Sequence, residues 1–216
     1  MSGHGYEVLS LDDLERIQSS DGSLTLMPLR RTIGFRPFGV NGWYGAKAGD
    51  EVIERHYERG GDEELYVVVS GRATFTLGEE TVDAPPLTLV HAPPGTLRHA
   101  IAAEDDTVVL ALGAKPGEAW APAPWEDFFV AFAKRRAGAT GEARALIEET
   151  LARHPDAWQG AYNAACFEAL EGNTDAAFAL LAAANERAPV EVAEWAPEDR
   201  DFTSLHDDPR WRELFG

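Results

Sequence analysis

The chain contains 216 residues, of which 44% are hydrophobic and 10% aromatic. This length suffices for one large domain or two small ones, and the composition is that of a globular protein rather than a disordered one. Acidic side chains outnumber basic ones by 37 to 19, so the formal net charge is −18. Such a surface repels phosphate backbones and anionic lipids, and we therefore expect neither a nucleic-acid partner nor a membrane partner.

The single cysteine, Cys166, excludes an intrachain disulfide and gives no sign of an oxidising compartment. The first residues contain no basic segment followed by an apolar run, so no signal peptide is predicted. No stretch approaches the roughly 20 apolar residues that a membrane helix needs. From these features we expect a cytoplasmic protein.

The first half of the chain is predicted to be all β, after a short helix at residues 10–17 that has Ser10 as its N-cap. Between Leu24 and Gly113, runs rich in Val, Thr, Leu and aromatic residues are separated by Gly and Pro turn signals. The predicted strands are residues 52–58, 65–70, 73–77, 87–91 and 107–112. This spacing favours an antiparallel barrel or sandwich over residues 1–115.

A Pro-rich segment, residues 116–124, separates this half from the rest of the chain. It contains Pro116, Gly117, Pro122 and Pro124, which predict a linker that crosses the surface of the barrel. Beyond it the composition shifts to Ala, Glu, Leu and Arg with helical periodicity, so residues 125–216 are predicted to be all α.

The helical half repeats itself with an offset of 34 residues, as from Ala131 to Ala165. Small residues would let paired helices approach closely, and a glycine would end the first helix of each pair. The related positions are Ala131 and Ala165, Gly138 and Gly172, Ala143 and Ala177, Ile147 and Leu181, and Pro155 and Pro189. This pattern resembles the tetratricopeptide repeat.

Two further helix starts are predicted in this half. Thr174 is a predicted N-cap, and Asp208 is another, with Pro209 as the first residue of the last helix. Since about three repeats are usually needed for stability, we expect this tail to pack on the barrel or on a second subunit. It is either a cover for exposed sheet or a surface that binds a protein partner, and both alternatives are open.

One motif in the β half runs from Gly49 to Gly71 and contains His56, Glu58 and Glu64. It resembles the first motif of the cupin family, which has a Gly, a His-x-His pair, a Glu and then, after six residues, a Gly. His56 falls near the first ligand position, and the spacing from Glu64 to Gly71 matches. Glu58 stands where the second His is expected.

The second motif is Pro-Pro-Gly-Thr-Leu-Arg-His at residues 93–99. It resembles the second cupin motif, in which Pro-x-Gly is followed by two residues and a His. Arg98 occupies the ligand position, and His99 lies one residue later. Neighbours on a strand face opposite sides, so an inward Arg98 implies an outward His99 unless a β-bulge after Gly95 reverses them.

The resemblance implies an all-β cupin barrel, followed here by an all-α, tetratricopeptide-like tail. It also implies a divalent transition metal, Fe, Mn, Ni or Zn, held by His and Glu side chains. The candidate ligands are His56, Glu58, Glu64 and His99. In the alternative, the pocket is free of metal and Arg98 pairs with a buried carboxylate.

The candidate small-molecule pocket consists of Arg36, Trp43, Tyr44, Tyr66 and Arg98. We expect a small-molecule-binding cupin with a degenerate metal site, whose tail mediates self-association or protein contact. A metal-dependent oxygenase or isomerase acting on a small acid is the competing hypothesis, and the sequence leaves open whether the chain is an enzyme. Because cupins of this type commonly pair through their sheets, a homodimer is expected.

Overall fold

The structure is a computed structural model that describes residues 8–58 and 60–216. It divides into two compact units, which meet in sequence between Pro122 and Ala123. All strands of the described residues lie in the first unit, and the second unit is helical.

The first unit opens with a single 3₁₀ turn, Leu11–Asp13, which is shorter than the predicted helix. Ser10 is its N-cap, as predicted, because the Ser10 hydroxyl accepts a hydrogen bond of 3.3 Å from the Asp12 amide. Two short strands, β1 (Ile17–Gln18) and β2 (Thr25–Met27), then pair with each other and lead into helix α1 (Leu29–Ile33).

Eight longer strands build a two-layered barrel. In order, they are β3 (Gly39–Gly45), β4 (Glu51–Tyr57), β5 (Glu63–Ser70), β6 (Ala73–Leu77), β7 (Glu80–Ala84), β8 (Leu89–Ala92), β9 (Leu97–Ala102) and β10 (Thr107–Ala114). They form antiparallel sheets with the orders β1-β2-β3-β10-β5-β8 and β4-β9-β6-β7. From β3 to β10, consecutive strands alternate between the sheets in the manner of a jelly roll, except that β6 and β7 form a hairpin within one sheet. The predicted cupin-like all-β half followed by an all-α half is thus confirmed.

Strand β3 is the longest strand that the sequence does not predict, because three glycines and an asparagine among its seven residues lower its β propensity. Tertiary packing explains the glycines. A Cβ at Gly42 would lie 3.0 Å from the Met27 Cβ, and one at Gly45 would lie 2.7 Å from the Ala102 Cβ. Both faces of β3 are therefore packed too closely for larger side chains.

The turn between β5 and β6 depends on Gly71, which has a φ of +64°. A Cβ at this position would lie 2.4 Å from the Thr107 Oγ1. The Thr107 hydroxyl is itself buried and lies 2.7 Å from the Glu104 carbonyl oxygen and 3.0 Å from the Arg72 carbonyl oxygen, which share its one proton. The matching glycine of the first motif is therefore required by packing as well as by backbone conformation.

The second unit consists of helices joined by short turns. They are α2 (Trp125–Arg136), α3 (Thr140–Arg153), α4 (Trp158–Leu170), α5 (Thr174–Arg187), α6 (Pro189–Trp195), a 3₁₀ segment (Arg200–Leu205) and α7 (Pro209–Phe215). Across the two described ranges, no helix has the length and apolar character that would span a membrane.

The internal repeat is visible in this unit, because α3 and α5 have equal lengths and begin 34 residues apart, at Thr140 and Thr174. Gly138 and Gly172 precede them with φ values of +80° and +75°, the left-handed conformation expected after a helix. The repeated alanines at positions 131, 143, 165 and 177 are fully buried. Assignment of these helix pairs to the tetratricopeptide family stays a prediction.

The predicted helix starts have mixed outcomes. Asp208 caps α7 by accepting from the Arg210 amide at 3.0 Å, and Pro209 is the first helical residue, as predicted. The prediction for Thr174 is wrong, because Thr174 is already helical and Asn173 is the N-cap. The Asn173 side-chain Nδ2 donates to the Glu168 carboxylate at 2.7 Å, which holds this turn against α4.

Candidate functional site

The candidate site lies inside the barrel, at the end where β3 begins and β10 ends. One row of cross-strand partners on the six-stranded sheet consists of Gly39, Gly113, Glu64 and Ala92. Glu64 shares its face of β5 with Tyr66 and Val68, which belong to the barrel core. The Glu64 carboxylate is therefore directed into the barrel next to positions that carry little or no side chain.

The opposite sheet contributes His56 of β4 and Arg98 of β9, which are cross-strand partners. Arg98 is fully buried, and its Nε lies 3.3 Å from the Glu64 Oε2. Its Nη2 donates to the carbonyl oxygens of Pro93 and Ala92, at 3.0 and 3.3 Å. Arg98 thus places a permanent positive charge inside the barrel, at the position that resembles a cupin ligand position.

Glu64 is stabilised in its ionised form by three neighbours. Burial raises the pKa of this carboxyl, but the ion pair with His56, a hydrogen bond from Tyr66 and the charge of Arg98 outweigh burial and lower it. The Tyr66 hydroxyl donates to the same oxygen, Oε2, that faces Arg98. A carboxylate with these partners remains charged at neutral pH.

His56 lies between two carboxylates. Its Nε2 is 3.5 Å from the Glu58 Oε1 and 3.7 Å from the Glu64 Oε2, and its Nδ1 is 2.8 Å from the Glu54 carbonyl oxygen. Burial alone would lower the pKa of His56. The two carboxylates and this carbonyl have a larger, opposite effect, and the pKa is raised to about 10. At neutral pH the ring is therefore an imidazolium, whose Nδ1 donates to the Glu54 carbonyl oxygen and whose Nε2 forms ion pairs with the two carboxylates.

The donor atoms of His56, Glu58 and Glu64 lie within 4.8 Å of one another and form a candidate metal-binding group. They correspond to three ligand positions of the cupin motifs. At the fourth position the Arg98 guanidinium, itself a cation, lies 3.3 Å from the Glu64 carboxylate. Its positive charge opposes the binding of a metal ion there. The residues present therefore do not provide the four-ligand cupin centre.

The structure places His99 away from this group. Its Nε2 lies 2.8 Å from the Glu51 Oε1, on the face of β9 opposite to Arg98. The strand parity thus holds, and the irregularities occur on β4 instead. There the pairing register shifts between Glu51 and Ile53 and again between Ile53 and His56. These bulges lie before His56, and the extra residue between Ile53 and His56 places the histidine opposite Arg98.

The predicted pocket residues are dispersed. Tyr66 and Arg98 lie at the site described above. Trp43 is on the inward face of β3 but packs on the core at the other end of the barrel, opposite Val109. Tyr44 has the opposite parity and packs on the outer face of the sheet, and Arg36 is exposed in the loop before β3.

Trp120 is near the site although the sequence predicts it only as part of a linker. A Cβ at Gly39 would lie 3.4 Å from the Trp120 Nε1, so the indole covers the inward face of that glycine. The signal that could have placed it is the Pro116-Gly117 pair, which favours a type II turn and a reversal of the chain after β10.

No protein-family model matches the sequence, and no curated protein is significantly similar to it. Among solved structures, the chain is similar to a sugar phosphate isomerase of the cupin superfamily from Silicibacter pomeroyi, with 19% identity over 50% of this chain and 76% of that chain and a TM-score of 0.43. It is also similar to a cupin protein from Bacteroides fragilis, with 20% identity over 56% and 92% of the two chains and a TM-score of 0.39. A third is KdgF from Halomonas sp., with 19% identity over 51% and 93% and a TM-score of 0.39. The first two are described as cupin proteins, and all three match about half of this chain.

Proposed function

We propose that the barrel binds a small polar molecule and does so without a resident metal ion. The observation that carries this proposal is the position of Arg98, fully buried with its Nε 3.3 Å from the Glu64 Oε2. A buried guanidinium beside a would-be ligand opposes a second cation and satisfies the carboxylate in its place. The charge that a metal would supply is already present.

The remaining polar groups are accessible to a bound molecule. The side chains of His56, Glu58 and Glu64 are 25%, 27% and 17% exposed, whereas Arg98 lies behind them. Carboxylate acceptors and imidazolium donors that converge at one point suit a ligand with hydroxyl or similar groups. This arrangement supports binding of such a ligand. A weak enzymatic activity would require His56 to transfer a proton to or from the ligand.

The second candidate is a metal-dependent isomerase or oxygenase acting on a small acid. The convergence of the His56, Glu58 and Glu64 donor atoms within 4.8 Å supports it. A nitrogen and two carboxylate ligands suit Fe, Mn, Ni or Zn. The two candidates differ in whether purified protein retains such an ion.

Metal analysis of the full chain separates the candidates. We expect wild type to retain well under one ion per chain after supplementation with each metal. Arg98→His, which removes the cation and adds an imidazole, is expected to gain near-stoichiometric metal, whereas the control Arg55→His, on an exposed position of β4, gains none. Near-stoichiometric metal in wild type that is lost in His56→Ala would overturn the metal-free proposal.

We also propose that the chain is a cytoplasmic homodimer whose tetratricopeptide-like tail mediates self-association or contact with a protein partner. Two exposed apolar side chains mark candidate dimer interfaces. Leu89 is 64% exposed on the edge strand β8, and Trp195 is 47% exposed at the end of α6. Light scattering of wild type, Leu89→Glu and Trp195→Glu tests the dimer. A monomeric wild type would refute it, and the variant that becomes monomeric identifies the face.

A further inference from the structure

Trp120 is brought back to the barrel by a turn at the end of β10. The Glu118 amide donates to the Lys115 carbonyl oxygen at 3.3 Å, and Gly117 has a φ of +77°. Proline at the second position and a left-handed glycine at the third are the residues of a type II turn. An ion pair of 2.9 Å between the Lys115 and Glu118 side chains closes the same turn. Trp120 follows two residues later, directed back towards the strand ends.

The inward face of the sheet has room for an indole at this point because Gly39 and Gly113 are cross-strand partners. A Cβ at Gly39 would meet the Trp120 Nε1 at 3.4 Å and Cζ2 at 3.6 Å. A Cβ at Gly113 would meet the Glu64 Cγ at 3.1 Å. The indole and the Glu64 side chain therefore cover adjacent glycines of one row and line the same wall.

The indole is supported from the side of α1. The guanidinium carbon of Arg30, a buried residue, lies 5.2 Å from the centre of the Trp120 ring. This contact is a cation–π interaction that holds the ring in place. Trp120 itself remains half-buried, so part of its surface is accessible next to the polar group.

Two buried polar side chains inside the barrel have unused hydrogen-bonding capacity. Within residues 8–58 and 60–216, the Arg98 Nε and Nη1 and the Asn41 Oδ1 have no hydrogen-bond partner, although the Nε lies 3.3 Å from the Glu64 Oε2 as an ion pair. Asn41 is 6% exposed and follows Gly39 by two residues, so it faces the same side of β3 as the glycine under Trp120. Two unused donor nitrogens of Arg98 and one unused acceptor of Asn41 therefore face the barrel interior, and buried groups of this kind are normally satisfied in the functional state.

We propose that Trp120 is the aromatic wall of the binding site and that the site takes an uncharged, hydroxyl-bearing ring. This rests on the proposed function as a small-molecule-binding barrel. The C–H face of such a ring packs on the indole, and its hydroxyls donate to the carboxylates of Glu58 and Glu64. Arg98 already neutralises Glu64, so the wall does not call for a ligand of either charge.

The test is a binding panel on the full-length protein, measured by calorimetry and tryptophan fluorescence. The neutral rings are D-glucose, D-galactose, D-ribose and myo-inositol, and the comparison compounds are D-sorbitol, succinate and ethanolamine. We expect at least one ring to bind and its affinity to fall about tenfold in Trp120→Ala, the loss of one aromatic contact. Trp120→Phe should retain the affinity within about threefold.

The matched control is Trp195→Phe, in the helical unit, which should keep both the affinity and the ligand-induced change in fluorescence. In Trp120→Phe that fluorescence change should disappear although the ring still binds. Equal affinity in wild type and Trp120→Ala would overturn the role of Trp120.

The outcomes also separate this inference from the proposed function. Binding of succinate or ethanolamine but of no ring, lost in Glu64→Gln, would refute the ligand class while the barrel remains a small-molecule binder. If no compound of the panel binds, the ligand class is refuted, and the metal analysis alone then decides between the two functions proposed for the barrel.

Discussion

The charge on His56 predicts how the stability of the protein changes with pH. In the folded protein its pKa is raised to about 10 from the ordinary value of 6.5. The imidazolium therefore stabilises the fold fully below pH 6.5, and this stabilisation is lost as the pH rises through about 10. His56→Asn removes the titrating group and should remove this part of the pH dependence.

The size of the effect follows from the linkage between proton binding and folding. One proton that is bound only in the folded state changes the free energy of unfolding by at most about 1.4 kcal/mol per pH unit. A quarter of the His56 side chain is exposed, and solvent screens its ion pairs accordingly. We therefore expect a loss of about 2 kcal/mol between pH 6.5 and 10, well below the unscreened limit.

Urea unfolding at intervals from pH 6 to 10 measures this loss as the difference between wild type and His56→Asn. His91→Asn is the matched control, because the His91 Nε2 lies 2.5 Å from the Glu63 Oε1 on the exposed outer face. An exposed pair of this kind contributes about 0.5 kcal/mol or less. The reasoning is refuted if the difference for His56→Asn does not change across this pH range. A flat profile would mean a neutral ring at neutral pH, which is the state that a metal ligand requires.

Three substitutions, two within the barrel and one within the helical unit, test the internal contacts of each unit by urea unfolding. Arg98→Met should destabilise the protein by about 3 kcal/mol, because it leaves the Glu64 carboxylate buried without its cation, and a loss below about 1 kcal/mol would show that the pair is dispensable. Gly71→Ala should lower the free energy of unfolding by more than about 2 kcal/mol, because the new Cβ clashes with Thr107 and the backbone is left-handed. Gly78→Ala, with a similar φ of +62° and open space around its Cβ, should lower it by about 1 kcal/mol. Equal losses for the two variants would contradict the clash. Ala165→Leu should cost about 2 kcal/mol or more by overpacking buried helices, while Ala152→Leu on the exposed side of α3 should be nearly neutral, and a tolerated Ala165→Leu would refute close helix approach.

The fold was largely predictable because most of its strands and helices end at residues whose effect on the backbone is local. Glycines at 71, 138 and 172 all adopt left-handed conformations, and each ends an element that the sequence predicts. Strand β3 was not predicted, because its glycines are required by close contacts with Met27 and Ala102, and only the folded chain brings these residues together. Propensity reports on a residue's own backbone, whereas these positions are set by neighbours distant in sequence.

The site was predictable in composition but not in arrangement. Strand parity correctly separates Arg98 from His99, since alternation is a property of any regular strand. The bulges of β4 break that regularity before His56, and no residue type marks them in advance. The position of Trp120 depends on a turn and on a pair of glycines from different strands, so it could not be read from the linker composition alone.

The electrostatics of the site explain how the barrel keeps its carboxylates without a metal. A divalent cation would neutralise Glu58 and Glu64 together, and here the Arg98 guanidinium and the His56 imidazolium supply the same two positive charges. Removing either cation leaves a carboxylate undercompensated, which favours either a proton or a metal in its place. A metal that enters Arg98→His must also displace the proton of His56, so its affinity should increase with pH over the range in which that imidazole is protonated. The arginine therefore determines which cation the site holds.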